Sequence, residues 1–194
     1  MATTAAPTHL TPETYLELER KAITKNEYVN GEIIAMAGAS FAHNFITLDT
    51  TIYLSRQLTD GDCEIASTGD LRVKVSQTAS YFYPDIVVVC GEPQAEDNTF
   101  DTLVNPTLIV EVLSASTETY DRDEKFTHYR QIDTLQEYIL ISQDRVEVVQ
   151  YCRQEPEWMA TKFRTLEDVM PLISIGCELP LRHIYRRVKF DSDP

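Results

Sequence analysis

Apolar and polar positions along this chain recur with two periods, and the places where the period changes mark its elements. Thr11-Pro12-Glu13 supplies a capping hydroxyl, a proline at the first helical position and an early acid, so a short helix opens there and runs to about Arg20. Glu27-Tyr28-Val29 and Glu32-Ile33-Ile34-Ala35-Met36 flank Asn30-Gly31, a dipeptide that accepts the positive φ angles of a tight type I′ turn, which predicts a hairpin. Between residues 40 and 58, Phe41, Phe45, Leu48 and Ile52 recur at helical spacing, which predicts a long amphipathic helix with those side chains on its apolar face. Short strands follow at residues 63–68 and 71–75.

Asp85-Ile86-Val87-Val88-Val89-Cys90 is a continuous apolar run behind Pro84, the pattern of a strand buried on both faces. An acidic loop with Glu92, Glu96, Asp97 and Asp101 leads to a second such run at residues 107–113. A polar stretch then precedes a helix predicted over about 121–132, where Asp121 and Glu124 resemble a capping box. Strands at 138–142 and 146–151 are joined by Gln143-Asp144-Arg145; a helical turn is expected at 167–172 and a short element at 181–189. With no internal repeat and no linker, the pattern describes one α/β domain with a mixed central sheet, over about residues 11–190 after a disordered start at 1–10.

Composition narrows the classes. The 194 residues are 43% hydrophobic, enough for a core that needs no disulfide staples. No run approaches the ~18 apolar residues of a membrane span, and the first residues lack the features of a signal peptide, so a cytoplasmic protein with no membrane partner is expected. The four cysteines (Cys63, Cys90, Cys152, Cys177) and four histidines (His9, His43, His128, His183) are scattered without ligand spacing, which excludes a closed zinc site and leaves Cys90 as a buried structural thiol. Seventeen Lys and Arg face 31 Asp and Glu, a net charge of −14. That balance opposes non-specific attraction to nucleic acid, so any such function needs a local basic surface or bound cations. Arg182, Arg186, Arg187 and Lys189 do cluster, and are read as a solvated terminal face rather than a phosphate-binding patch. Signatures of P-loop NTPases, dinucleotide-binding folds, α/β-hydrolases and zincins are all missing.

The chemistry concentrates in three residues. Glu111 interrupts Leu108-Ile109-Val110-Glu111-Val112-Leu113, where a lone ionised carboxylate must be neutralised, paired or placed on a metal, unless the strand is an edge and Glu111 faces solvent. Asp85 opens the other apolar strand; it is either a turn-forming acid after Pro84 or a carboxylate that converges on Glu111, and two such oxygens suit Mg²⁺ or Mn²⁺. Lys125 shares a helical face with Tyr129 and Ile132, so its stem leans inward, toward an anionic group or toward Asp121 four residues back.

Tyr83-Pro84-Asp85-Ile86-Val87-Val88-Val89, then Leu108-Ile109-Val110-Glu111-Val112-Leu113-Ser114-Ala115-Ser116-Thr117, Asp121-Arg122-Asp123-Glu124-Lys125-Phe126 with Tyr129, and Glu137-Tyr138-Ile139-Leu140-Ile141 together resemble the Uma-type endonucleases. This family is abundant in cyanobacteria and belongs to the PD-(D/E)XK, or restriction-endonuclease-like, superfamily. The resemblance, spread over about residues 10–189, implies a mixed central sheet flanked by helices, here with an N-terminal helix and hairpin added. It implies that Asp85 and Glu111, with the carbonyl of Val112, hold Mg²⁺ or Mn²⁺, and that Lys125 is catalytic. The usual lysine position, two residues after the second acid, holds Leu113, and Lys125 falls where similar families place the lysine on the following helix. Glu32 and His43 are the candidates for a further site residue from the N-terminal part. The implied activity is metal-dependent hydrolysis of nucleic acid, DNA in the first instance, by a homodimer whose interface could draw on Tyr81-Phe82-Tyr83 or the stretch from Tyr151 to Trp158. Two alternatives stand beside it: a nuclease-fold module that binds or regulates without cutting, and an enzyme acting on a small anionic substrate.

Overall fold

The computed structural model describes residues 9–114 and 117–190. Residues 1–8 of the start expected to be disordered, together with Ala115 and Ser116 of the motif quoted above, lie outside the described residues. In chain order the first elements are α1 (Pro12–Glu19), β1 (Asn26–Val29), β2 (Glu32–Ala35), α2 (Phe41–Ser55), β3 (Cys63–Ser67), β4 (Arg72–Val75) and β5 (Ser80–Phe82). Then come β6 (Ile86–Cys90), β7 (Thr102–Leu103), β8 (Leu108–Leu113), a π-helical turn at Tyr120–Lys125 that runs into α3 (Phe126–Tyr129), and β9 (Glu137–Ser142). The chain closes with β10 (Val148–Gln154), β11 (Glu157–Phe163), β12 (Val169–Leu172), a 3₁₀ turn at Ile173–Ile175, β13 (Cys177–Pro180) and α4 (Leu181–Ile184).

The two apolar runs become neighbours. A six-stranded sheet has the order β11-β10-β9-β8-β6-β3, with β8 and β9 parallel and the other pairs antiparallel. Side chains alternate across it. Leu108, Val110 and Val112 of β8 pack with α2, α4 and β13 through Ile46, Leu54, Leu181, Ile184 and Leu179, while Ile109 and Leu113 face a second core with Val73, Val75, Phe82 and Tyr129. That second layer comes from a five-stranded sheet of order β2-β1-β5-β4-β7 and from α3. Glu111 has the parity of Ile109 and Leu113, so it points into the second layer. The five buried apolar residues of β8 contribute about 1.5–3 kcal/mol each, which outweighs the several kcal/mol that burying one charged carboxylate costs. The strand therefore forms with an acid in its middle.

The mixed α/β sheet with flanking helices, the hairpin and the first helix follow the sequence expectation. Asn30 and Gly31 take the positive φ values of 52° and 88° that their turn requires. Five local readings are corrected. Phe41 and Leu48 do not form the inward face of α2: they are exposed, and the buried face is Ile46, Asp49, Thr50 and Leu54. The apolar spacing found the helix but assigned the wrong side to the core. Asp121 makes no capping bond to the helix start; it turns inward to Lys125, and the turn around it is wound wide. Residues 169–172 pair with β13 as a strand rather than forming a helical turn. Cys90 is not a free thiol: it sits opposite Cys63 across the β3–β6 pair and is disulfide-bonded to it. Tyr81, Phe82 and Tyr83 are buried, so they pack the core instead of offering an interface, and Tyr151 and Trp158 pack around Phe126.

One buried histidine gives a pH prediction. His128 packs on Phe82 with its Nδ1 2.9 Å from Thr78 Oγ1, and burial holds its pKa below the ordinary 6.5. A depressed pKa means that the folded state prefers the neutral ring, so its stability is present above about 6.5 and is lost as pH falls through the lowered folded value. The urea midpoint is expected to drop between about pH 7.5 and pH 5.5, and His128→Asn is expected to flatten that part of the profile. An unchanged pH dependence in the variant would remove His128 as its source.

Candidate functional site

Strand register builds the site. Ile86, Val87 and Val88 pair with Val110, Ile109 and Leu108, so one further step sets Asp85 opposite Glu111 where β6 begins. Asp85 Oδ2 accepts the backbone N–H of Val112 at 2.7 Å and lies 3.1 Å from His43 Nε2, which α2 delivers from the first layer. Because N–H and C=O of one residue leave an extended strand on the same side, the Val112 carbonyl is directed to the side on which Asp85 stands.

The second layer closes around Glu111. Lys125, at the end of the wide turn, places Nζ 3.2 Å from Glu111 Oε1, 3.2 Å from Asp121 Oδ1 and 2.8 Å from Glu27 Oε1. All four residues are at most 5% exposed. Tyr129 donates its hydroxyl to Glu111 Oε1 at 3.1 Å, and the backbone N–H of Tyr83 donates to Glu27 Oε1 at 3.3 Å. The rings of Phe82 and Tyr120 lie 6.0 and 5.6 Å from the ammonium. A lysine has three N–H donors, and here three carboxylates stand around them.

Electrostatics follows from this crowding. Burial drives the Glu111 pKa well above its ordinary value, Asp121, Asp85 and Glu27 push it in the same direction, and Lys125 only partly offsets them. For Lys125 burial works against the charge, but Glu111, Glu27 and Asp121 outweigh it and hold the pKa well above the ordinary value. Burial and the nearby Glu111 likewise raise the Tyr129 pKa, so its hydroxyl remains a donor. Four carboxyl groups thus converge with one lysine and one histidine, an excess of acidic groups that favours an added cation.

Among the described residues no three Asp, Glu, His or Cys side chains are arranged to ligate one ion together. The donor chemistry nevertheless fits a hard divalent cation, because Mg²⁺ is commonly held by one or two carboxylates with water completing its shell. Asp85 and Glu111 are the two carboxylates that strand register sets opposite each other.

Of the residues nominated from sequence, the fold therefore brings together Asp85, Glu111, Lys125 and His43. It does not bring in Glu32, which is exposed on the edge strand β2 next to the turn. One participant was missed. Glu27 shares the face of Val29 at period 2 on β1, and an acid on the inward side of a short strand was the available signal. Asp121 was read both as a cap and as the partner of Lys125 four residues on, and the pair is what forms.

Comparison with known proteins adds three findings. The family model of Uma2, described as "Putative restriction endonuclease", matches residues 12–182. Two uncharacterized Synechocystis proteins are similar: sll1609 is 40% identical over 79% of this chain and 86% of its own length, and slr1290 is 37% identical over 93% and 94%. A crystal structure from Anabaena variabilis, titled as a putative nuclease belonging to DUF820, superposes with a TM-score of 0.75 at 18% identity, covering 91% of this chain and 98% of that one. At that identity the likeness establishes the fold alone.

Proposed function

The chain belongs to the Uma2 family, and from that premise we propose that it is a divalent-metal-dependent nuclease that hydrolyses phosphodiester bonds of DNA. The observation that carries this reading is Glu111, an acid in the middle of a fully buried strand, set opposite Asp85 and held by Lys125. In it, Asp85 and Glu111, with the Val112 carbonyl, hold Mg²⁺ or Mn²⁺. Such an ion when bound supplies Lewis-acid activation of a phosphate and a water of lowered pKa. Asp85 is kept in place by the Val112 N–H and His43, and Glu111 by Tyr129 and Lys125.

The role of Lys125 changes in this light. With three carboxylates around its ammonium, it acts first as a positioning residue for Glu111 and Asp121, and reaching a substrate phosphate requires that one of those contacts be released. A homodimer would place two such sites on opposite strands of a duplex. The same saturation of Lys125 favours, as second reading, a nuclease-fold module that binds without cutting.

The test is cleavage of plasmid and single-stranded DNA by purified protein with Mg²⁺ or Mn²⁺ against an EDTA control. Metal-dependent cleavage is expected. A folded protein that binds metal in calorimetry but cuts neither substrate would select the non-cutting module.

A further inference from the structure

The outer face of α2 is unusual for a helix packed on a sheet. Phe41 is 85% exposed and stacks with the partly buried Phe45, their centroids 6.3 Å apart. With 3.6 residues per turn, Phe41, Phe45 and Arg56 fall on one side of the helix over about 22 Å. The C-terminal arginines join that side. Arg186 and Arg187 both reach Asp49, at 2.5 and 2.8 Å, and Asp49 is covered by them; the Arg187 guanidinium also lies 4.6 Å from the centre of the Phe45 ring. Arg56 is exposed and lines one shallow cleft with Asp49 and Arg186, and Arg182 is exposed on α4, one turn before Arg186 in the chain. The terminal arginines are solvated, as expected, and two of their guanidinium groups meet one covered carboxylate on a helix that also displays an aromatic ring.

We propose that this surface binds a single-stranded polynucleotide, with Arg56, Arg182, Arg186 and Arg187 on its phosphates and an unpaired base stacked on Phe41. The proposal rests on the nuclease reading and names the form of its substrate. Charge complementarity supports it despite the overall −14, because charges farther than about 8 Å are largely screened at physiological salt and the local sign decides contact. Aromatic rings beside cationic groups are what sequence-tolerant single-strand binding uses, since every base has a π face. The stripe starts at the end of α2 that also carries His43, which turns inward to Asp85. A strand lying along α2 is thereby led to the acids.

The experiment is fluorescence anisotropy with a labelled single-stranded oligodeoxynucleotide and its duplex, in EDTA and over a series of salt concentrations. Binding is read without turnover, so a failure to cleave DNA in the preceding assay would sink the nuclease reading and leave this measurement intact. Arg56→Gln combined with Arg182→Gln is expected to weaken binding about tenfold and to lower the log–log salt slope by about 1.4. Phe41→Ala is expected to cost about tenfold with no change in slope. Lys162→Gln, an exposed change on β11, is the control and is expected to bind like the parent. No binding by the parent, or binding by the arginine variant equal to that of the parent, would overturn the surface. Equal affinity for duplex and single strand with a neutral Phe41→Ala would overturn the single-strand assignment.

Discussion

Lys125→Met is expected to destabilise the fold by about 3–5 kcal/mol, the usual consequence of removing one partner from a buried ionic cluster. Methionine fills a similar length of cavity, so packing changes little and the effect isolates the charge. What remains is Glu27, Glu111 and Asp121 with no counter-charge among them, each within hydrogen-bond distance of where Nζ stood. The lysine pKa lies well above 10.5 in the fold, so its contribution is present throughout the neutral range and is lost only as pH rises through that higher value. The loss in the variant is therefore expected across pH 6–9, read as a lowered urea midpoint. A midpoint that does not fall on substitution would mean that the acids are neutral and that Lys125 is not their counter-charge.

The central features were legible because they violate a pattern. An acid inside Leu108–Leu113 has no explanation in periodicity, and Asp85 stands at the head of another continuous apolar run, so both could be found before any pairing was known. Lys125 was found through helical spacing, although the segment is wound as a π-helical turn; a spacing of four still places Asp121 beside it. Glu27 was not found. Its inward placement depends on β1 joining β5 in a second sheet, and the three-residue strand β5 carries no periodic signal of its own. The misassigned face of α2 has a different cause. Hydrophobic spacing reports which side of a helix is apolar, not whether a core lies against it, and here Asp49 and Thr50 are buried while Phe41 is outside. The cross-strand disulfide was equally invisible, since Cys63 and Cys90 become neighbours only through the register of β3 on β6.

Glu111→Gln is expected to separate stability from activity. At neutral pH the fold carries the cost of this carboxyl: its pKa is raised by burial and by the surrounding acids, so its stabilising contribution is complete below about 4.5 and is lost as pH rises through the folded value. The amide keeps the acceptor that Tyr129 and Lys125 use but cannot ionise. The variant is therefore expected to unfold at the same urea concentration as the parent near pH 4.5, and at an equal or higher one at pH 8. Cleavage should move in the opposite direction. An amide oxygen is a poor substitute for a carboxylate toward a divalent ion, and loss of one such electrostatic element costs on the order of 10²–10³ in rate. Asp85→Asn is expected to give the same loss, since its amide oxygen still accepts the Val112 N–H and the strand end stays in place. Urea titrations at the two pH values and single-turnover cleavage with Mn²⁺ read both halves. A variant that is destabilised at pH 8 and still cuts at the parental rate would show that Glu111 serves the fold as an ion-pair partner and leaves the chemistry to other groups.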